Sequence, residues 1–177
     1  SRPRQARLTQ KMFHADCQNC AALCCLALAF DKSERFGFDK AAGVACPNLD
    51  AAGLCRIHTD LDGAGFSGCR LYDCQGAGQR VTQEVFQGQS WQDRPELMLP
   101  MIRAFADMRR VQELACNLTT AKGLNLPPEH EAERQRLLLL LEPAGGWTIK
   151  ALDSFVQGQI GAVIGRFLTS LRSFVPD

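Results

Sequence analysis

The feature that most constrains this chain is the crowding of its cysteines toward the N-terminus. Eight of the nine cysteines lie between positions 17 and 74, and the rest of the 177 residues hold only Cys116. The intervening residues alternate short apolar runs with glycine, aspartate and asparagine, which favour turns. Loops of this kind bury little apolar surface and need covalent or metal cross-links to hold a fold. We therefore expect the functional residues to lie in the segment before residue 75.

The cysteines form three groups with spacings that are typical of metal sites. The first group begins with Cys17 and Cys20 and ends with the adjacent pair Cys24 and Cys25. A C-x-x-C turn lets two thiolates converge on one ion, as in tetrahedral zinc sites and iron–sulfur clusters. If the segment is helical, steps of three and four residues place Cys17, Cys20 and Cys24 on one face. The second and third groups supply Cys46, Cys55, Cys69 and Cys74.

Two interpretations of these eight thiols compete. In the first, bound metal neutralises thiolates that would otherwise repel each other, and it supplies folding free energy that the loops lack. In the second, four disulfides cross-link a secreted domain, which an even number of cysteines permits. The adjacent Cys24 and Cys25 and the long remainder without cysteine clusters favour metal, because disulfide-rich domains are usually short and cross-linked throughout. We therefore predict that all eight cysteines bind metal.

The spacing alone does not select one metal. Eight thiolates satisfy two zinc ions in tetrahedral sites, and they equally satisfy a 4Fe–4S cluster with one zinc ion, or two clusters. Cys46-Pro47 resembles ferredoxin-type ligation, in which proline follows a cluster cysteine. Zinc is the first expectation, because it commonly stabilises irregular loops. An iron–sulfur cluster, of the 4Fe–4S type, is the second.

The order of these motifs resembles a zinc- or iron-chelating cysteine-cluster domain family, called YkgJ-like, which also forms the N-terminal module of some bacterial pentapeptide-repeat proteins. The family pattern is C-x-x-C-x-x-x-C-C, then C-x-x-L, then G-x-C-x-I-Y, and finally C-R-x-F-x-C. The resemblance covers residues 14–80 and implies that all eight cysteines are ligands; no pentapeptide repeat is present. The matching segments are 17–25, 46–49, 53–58 and 69–74.

Two histidines are candidate additional ligands. His58 lies three residues after Cys55, and His14 lies three residues before Cys17. Both spacings suit a metal site, although a surface histidine is the commoner role for His14. The family pattern has tyrosine at the position of His58 and therefore does not support this residue as a ligand. The sequence departs from the family pattern a second time before the last pair of cysteines, where residues 64–66 replace the usual Arg-Pro. This departure leaves the eight cysteines intact.

Outside the cysteine groups the pattern is helical. We expect short helices at 19–30 and 79–86, and a long helix that begins at Pro100 and is capped by Gly123. A third helix follows 127–128, and a last helix runs from its Thr148 cap to about residue 174. The long helix carries an apolar stripe: Met101, Phe105, Met108, Val111, Ala115 and Leu118. The last helix carries another: Ile149, Leu152, Val156, Ile160, Val163, Phe167 and Leu171.

The predicted fold is mainly α, with an irregular cysteine-rich metal-binding N-terminal half packed on a C-terminal bundle of about three helices. Residues 1–13 are expected to form a flexible basic arm, residues 14–80 the cysteine-cluster module, and residues 81–177 the helical region. Cys116 falls close to the apolar stripe of the long helix, where a buried and unreactive thiol is expected.

Composition narrows the function classes. A net charge of +1 argues against nucleic acid or an anionic membrane as a partner, and no apolar stretch is long enough to span a bilayer. No secretory signal is visible, so we expect a cytoplasmic protein. There is no nucleophile elbow, phosphate loop or dinucleotide fingerprint, so no catalytic residue is assigned and enzymatic activity is left open.

The first expectation for function is a structural or partner-binding metal protein, with a protein partner on the helical half. An iron–sulfur redox or catalytic protein is the first alternative. A metal sensor, chaperone or store is the second.

Overall fold

The chain is mainly helical, as its sequence predicts. The computed structural model describes residues 10–176, and within them it has no β-strand. Most of the predicted basic arm, including Arg2, Arg4 and Arg7, lies outside the described residues. Within that range no helix is both long and apolar enough to cross a membrane. The α-helices are α1 (Leu23–Ala27), α2 (Ser67–Leu71), α3 (Ala77–Arg80), α4 (Met98–Thr120), α5 (Pro128–Leu140), α6 (Ile149–Gln157) and α7 (Ile160–Ser170).

Only short elements occur in the cysteine-rich segment. A 3-10 turn at Cys17–Asn19 precedes α1. The predicted helix from residue 19 to residue 30 is therefore reduced to the five residues of α1. It cannot extend toward the N-terminus, because Cys20 has an extended backbone and Ala22 has a left-handed one with φ 52°. Between α1 and α2 the chain is folded by turns and by isolated β-bridges, Phe30 with Lys40 and Leu49 with Cys55.

Helix α4 is the centre of the fold. It contacts α1 and α3 from the cysteine-rich side, and α5, α6 and α7 from the C-terminal side. The stripe predicted from its sequence is buried throughout, from Met101 to Leu118. The helix begins two residues before Pro100, and a 3-10 turn (Ala121–Leu124) follows it. Asn125, with φ 50°, takes the left-handed conformation that was expected of Gly123.

The last predicted helix is two helices, which corrects the expected stripe. Thr148 does cap its start, since its Oγ1 accepts a hydrogen bond from the Ala151 amide at 3.1 Å. The helix then breaks at Gly158, which is extended, and where an added Cβ would lie 2.9 Å from the Ser154 carbonyl oxygen. The break shifts the helical phase. Phe155 and Ile164 are therefore buried, while two members of the expected stripe, Ile149 and Val156, are exposed.

A buried arginine joins three parts of the chain. The Arg80 guanidinium donates to Glu84 at 2.8 Å, to the Gln112 side chain at 2.8 Å and to Glu142 at 2.6 Å. Gln112 in turn donates to the Gln75 carbonyl at 2.9 Å, one residue after the last clustered cysteine. These bonds link the end of the cysteine-rich segment to α4 and to the turn after α5. Such a network is costly to break, because removing one member leaves buried charge without a partner.

Replacing Arg80 tests this network. We expect Arg80→Met to lower the free energy of unfolding by about 3 kcal/mol, because Glu142 and Gln112 lose their donor. The matched control is Arg94→Met, which removes an ion pair whose two side chains are more than half exposed, and should cost about 0–1 kcal/mol. Urea unfolding measures both changes, and equal losses in the two variants would contradict the network.

Acid should weaken the contact between α4 and α5 through Glu131. This carboxylate accepts two hydrogen bonds of 2.7 Å from buried Arg134, whose guanidinium also donates to the Leu118 carbonyl on α4 at 3.0 Å. The bonds from Arg134 lower the pKa of Glu131 to about 2. A lowered folded-state pKa gives stability that is complete above the ordinary value of 4.5 and is lost as the pH falls toward about 2.

Glu131→Gln should therefore cost about 1–3 kcal/mol at pH 7. It should also flatten the dependence of stability on pH between about 4.5 and 2. Thermal unfolding over this range measures the slope, with Glu133→Gln as the control for an exposed pair on the same helix. A variant whose slope matches that of the wild type would show that Glu131 does not carry this stability.

Candidate metal centre

The first cysteine group is arranged by a turn and a short helix. Cys17 lies in the 3-10 turn, Cys20 follows it with extended backbone, and Cys24 and Cys25 lie in α1. Cys17, Cys20 and Cys24 do not lie on one continuous helix, because the extended Cys20 and the left-handed Ala22 interrupt it. They therefore do not share a helical face. A backbone hydrogen bond from Leu23 reaches the Cys20 sulfur, which is the amide-to-sulfur contact expected of such a turn.

The second group is attached directly to the first. The Cys46 amide donates to the Cys25 carbonyl at 3.0 Å. From there the chain makes a tight hairpin-like turn, in which Leu49 and Cys55 form a β-bridge and the Arg56 amide donates to the Asn48 carbonyl at 2.8 Å. These backbone contacts attach Cys46 to the residue after Cys24 and hold Cys55 close to the Cys46 segment.

The third group lies on and after α2. Cys69 is inside α2, and Cys74 precedes α3. Gly68 packs so tightly beneath the ring of Phe36 that any side chain at this position would collide with the ring. The Gly68 amide also donates to the Arg35 carbonyl at 3.1 Å. Both contacts hold Cys69 against the segment that follows α1.

Five of these thiols have a raised pKa: Cys17, Cys20, Cys24, Cys55 and Cys69. Burial raises the pKa of Cys20 to about 12 and that of Cys69 to about 11, and nearby sulfurs add to both effects. Burial and the same neighbours also raise the pKa of Cys17 and Cys55. For Cys24 the largest cause of a raised pKa is the thiol–thiol hydrogen bond with Cys25, followed by burial. Gathering these groups as bare thiolates would therefore be unfavourable.

Cys24 is the centre of the group. Its charge acts on Cys17, Cys20, Cys55 and Cys69, and its side chain is hydrogen-bonded to Cys25. The two remaining sulfurs, of Cys46 and Cys74, are linked to the group because they act on the same cysteines. Cys46 acts on Cys55 and Cys69, and Cys74 acts on Cys17 and Cys20. We call these eight residues the cysteine cluster: Cys17, Cys20, Cys24, Cys25, Cys46, Cys55, Cys69 and Cys74.

The sulfurs are neighbours without forming a closed ligand cage. All nine cysteines, which fall within the described residues, are unpaired thiols. In the part of the chain that the structure describes, no three histidine, cysteine or carboxylate side chains converge closely enough to hold one ion. Eight thiols that influence one another's ionisation nevertheless match the donor chemistry of zinc and iron–sulfur sites. Their side chains would hold such a group by closing around it.

The other predicted residues lie at the edge of the cluster or away from it. His14 and His58 are exposed, and neither is among the main causes that raise the pKa of Cys17 or Cys55. The His58 amide does donate to the Cys55 carbonyl, at 3.2 Å. Cys116 is partly buried, not fully buried as expected, and it packs against the hydrophobic core.

Two polar residues near the cysteine cluster, Lys40 and Tyr72, were not predicted from the sequence as part of the site. Lys40 is 6% exposed; burial lowers its pKa, and the charges of Cys46, Cys25 and Cys24 offset this lowering only in part. Tyr72 lies between Cys69 and Cys74. It is the only tyrosine in the chain, which could have drawn attention to it, whereas Lys40 stands in an ordinary turn sequence.

The hydroxyl of Tyr72 provides a test of whether a metal group fits here. This oxygen is buried and has no hydrogen-bond partner within the described residues, and the Arg109 guanidinium lies 5.4 Å from the ring centroid. Burial raises the pKa of Tyr72 to about 12, and the charges of Cys24 and Cys74 act in the same direction. A buried donor without an acceptor is costly. A metal-bound sulfur is an acceptor of the kind that Tyr72 lacks, so the site fits such a group.

Similarity to known proteins covers part of the chain. It is 42% identical over 112 residues to a Bacillus subtilis (strain 168) protein named "Uncharacterized protein YybG". The match covers 63% of this chain and 40% of the relative, so the chain spans less than half the relative's length. No protein-family model matches, and no solved structure matches. The resemblance to the cysteine-cluster family therefore stays a prediction, and function must be argued from the site.

Gly78 tests whether the cluster depends on its contact with α3. An ideal Cβ at this buried glycine would lie 2.5 Å from the Cys20 sulfur. We expect Gly78→Ala to displace Cys20 and to weaken metal binding at least about tenfold, as changes next to metal ligands commonly do. The affinity is measured by competition with a coloured chelator.

The control is Gly123→Ala, since a Cβ at Gly123 meets nothing within 4 Å. Both glycines lie in helical turns, so the gain in helix propensity is similar. Unchanged affinity in Gly78→Ala would show that the position of Cys20 is not needed for binding.

Proposed function

We propose that this chain is a metal-binding protein in which the cysteine cluster holds zinc or an iron–sulfur group in a structural role. The observation that supports it is the arrangement around Cys24. Sulfurs from three separate stretches of sequence come within electrostatic reach of one thiol, and all eight are unpaired. Raised thiol pKa values show that the arrangement is unfavourable for bare thiolates. A bound cation would offset that cost and favour ionised sulfur.

The irregular segment also has reason to need metal. The loop that connects α1 to α2 contains no regular element longer than a turn or a single bridge. Its apolar contacts include a group of four aromatic rings, in which Phe30 and Phe36 stack at 4.4 Å, and Phe38 and Phe66 meet edge to face at 4.8 Å. Four rings are a small core for such a long loop. Metal–thiolate bonds would supply the remaining folding free energy.

We propose that the helical half is the base on which this metal module is built. The Trp91 indole donates to the Ala21 carbonyl at 2.7 Å, and the Ala21 amide donates to the Thr82 hydroxyl at 3.0 Å. These buried bonds fix the residues between Cys20 and α1 against the helices. A protein partner for the helical half stays a prediction.

Two zinc ions are the first choice of metal, because tetrahedral thiolate sites commonly stabilise irregular loops without redox chemistry. A 4Fe–4S cluster with a redox role is the second choice, on the strength of the Cys46-Pro47 dipeptide. Unpaired thiols crowded together persist most readily in a reducing compartment, and we propose the cytoplasm on this ground.

The experiment compares Cys24→Ser with Cys116→Ser in the full chain. Wild-type protein should bind metal and should lose part of its folded structure when a strong chelator removes it. Cys24→Ser should bind metal at least about 100-fold more weakly, since it removes the central ligand. A metal titration monitored by circular dichroism measures both metal binding and the change in folded structure.

Cys116→Ser should bind metal as the wild type does, because Cys116 lies outside the cluster. Equal effects of the two substitutions, or a wild-type fold that is indifferent to the chelator, would contradict the proposal. A visible absorption spectrum of anaerobic protein, bleached by dithionite, would favour the iron–sulfur form over zinc.

A further inference from the structure

Lys40 lies where the first two cysteine groups meet. Its ammonium donates to the Leu26 carbonyl at 3.3 Å, to the Ala41 carbonyl at 3.1 Å and to the Val44 carbonyl at 2.7 Å. Leu26 directly follows Cys25, and Val44 lies two residues before Cys46. The ammonium is therefore anchored to both cysteine-bearing segments by bonds that do not involve the sulfurs.

The charge of this lysine has no ordinary counter-ion. The residue is 6% exposed, and among residues 12–176 no carboxylate forms a salt bridge with it. Its other close neighbour is the ring of Phe30, 5.8 Å from the ammonium. Burying an unpaired charge costs several kcal/mol, which three neutral carbonyls offset only in part. Burial lowers the pKa of Lys40, and the sulfurs of Cys46, Cys25 and Cys24, when ionised, act against that lowering.

We infer that Lys40 is the counter-cation of the metal-bound cysteine cluster. The inference rests on the proposed function and adds a property to it. Eight thiolates carry more negative charge than two divalent ions neutralise, so the loaded centre is anionic, and an iron–sulfur centre held by thiolates is anionic as well. A buried ammonium beside three of the sulfurs offsets that charge and favours metal-bound thiolate over protonated thiol.

A purely structural lysine would behave differently. If Lys40 served only to satisfy three carbonyls, a neutral donor would replace it in part, and its charge would be a cost in both the loaded and the metal-free protein. If it is the counter-cation, the charge itself matters, and it matters only when metal is bound. The structural role and the counter-cation role can therefore be distinguished by two kinds of variant. One keeps the positive charge at position 40, and the other keeps only a neutral hydrogen-bond donor there.

The test measures Co²⁺ affinity by chelator competition in full-length Lys40→Met, Lys40→Gln and Lys40→Arg. We expect Lys40→Met and Lys40→Gln both to lose about 10–100-fold in affinity and Lys40→Arg to retain most of it. The sulfur-to-cobalt charge-transfer band should move to lower energy in the two neutral variants, because a nearby cation stabilises the sulfur electrons. Lys32→Met is the control, since Lys32 is exposed in the same segment.

Each outcome decides the matter. Wild-type affinity and an unshifted band in Lys40→Gln would overturn the inference and leave the proposed function standing. The same holds if Lys40→Arg is as weak as Lys40→Met, because charge would then not be the property required. If wild-type protein holds neither Co²⁺, nor Zn²⁺, nor an iron–sulfur cluster, the proposed function fails and the inference fails with it. Should Lys40→Met not fold, the comparison of the glutamine and arginine variants carries the test.

Discussion

The mutual proximity of eight sulfurs, with Cys24 at their centre, is the constraint on which the rest of the structure depends. Burial and neighbouring sulfurs raise the pKa of Cys17, Cys20, Cys55 and Cys69, while the hydrogen bond to Cys25 leads in raising that of Cys24. A fold that brings such groups together keeps them protonated unless a cation joins them and offsets the cost of ionising them. The same crowding explains why polar groups accumulate nearby. The buried ammonium of Lys40 and the unsatisfied hydroxyl of Tyr72 both lie within electrostatic reach of clustered sulfurs.

The helical half gives this arrangement a firm support. Helix α4 contacts both α1, which carries Cys24 and Cys25, and α3, and the Arg80 network ties the end of the cysteine-rich segment to α4 and to Glu142. The indole of Trp91 binds the backbone immediately before α1. Metal in the loops, if bound as proposed, would complement the apolar packing of the helices as a source of stability. A small irregular module becomes feasible because it is attached to a conventional core.

Much of the helical half could be predicted from sequence, because α4 and the start of α6 follow strong local rules. The period of the buried residues from Met101 to Leu118 and the cap at Thr148 are such rules. The break at Gly158 could not be foreseen, since a glycine within an apolar period is tolerated in many helices and breaks others. In the cysteine-rich half the ligand candidates are evident from spacing. The left-handed Ala22, the burial of Lys40 and the isolation of the Tyr72 hydroxyl depend on tertiary contacts, which no local pattern records.

The most direct test of the account is the metal content of native protein purified without oxygen, combined with a count of its reactive thiols. The account predicts stoichiometric zinc or iron, and clustered cysteines that resist alkylation until the metal is removed. A metal-free preparation in which those eight sulfurs are joined as disulfides would contradict it.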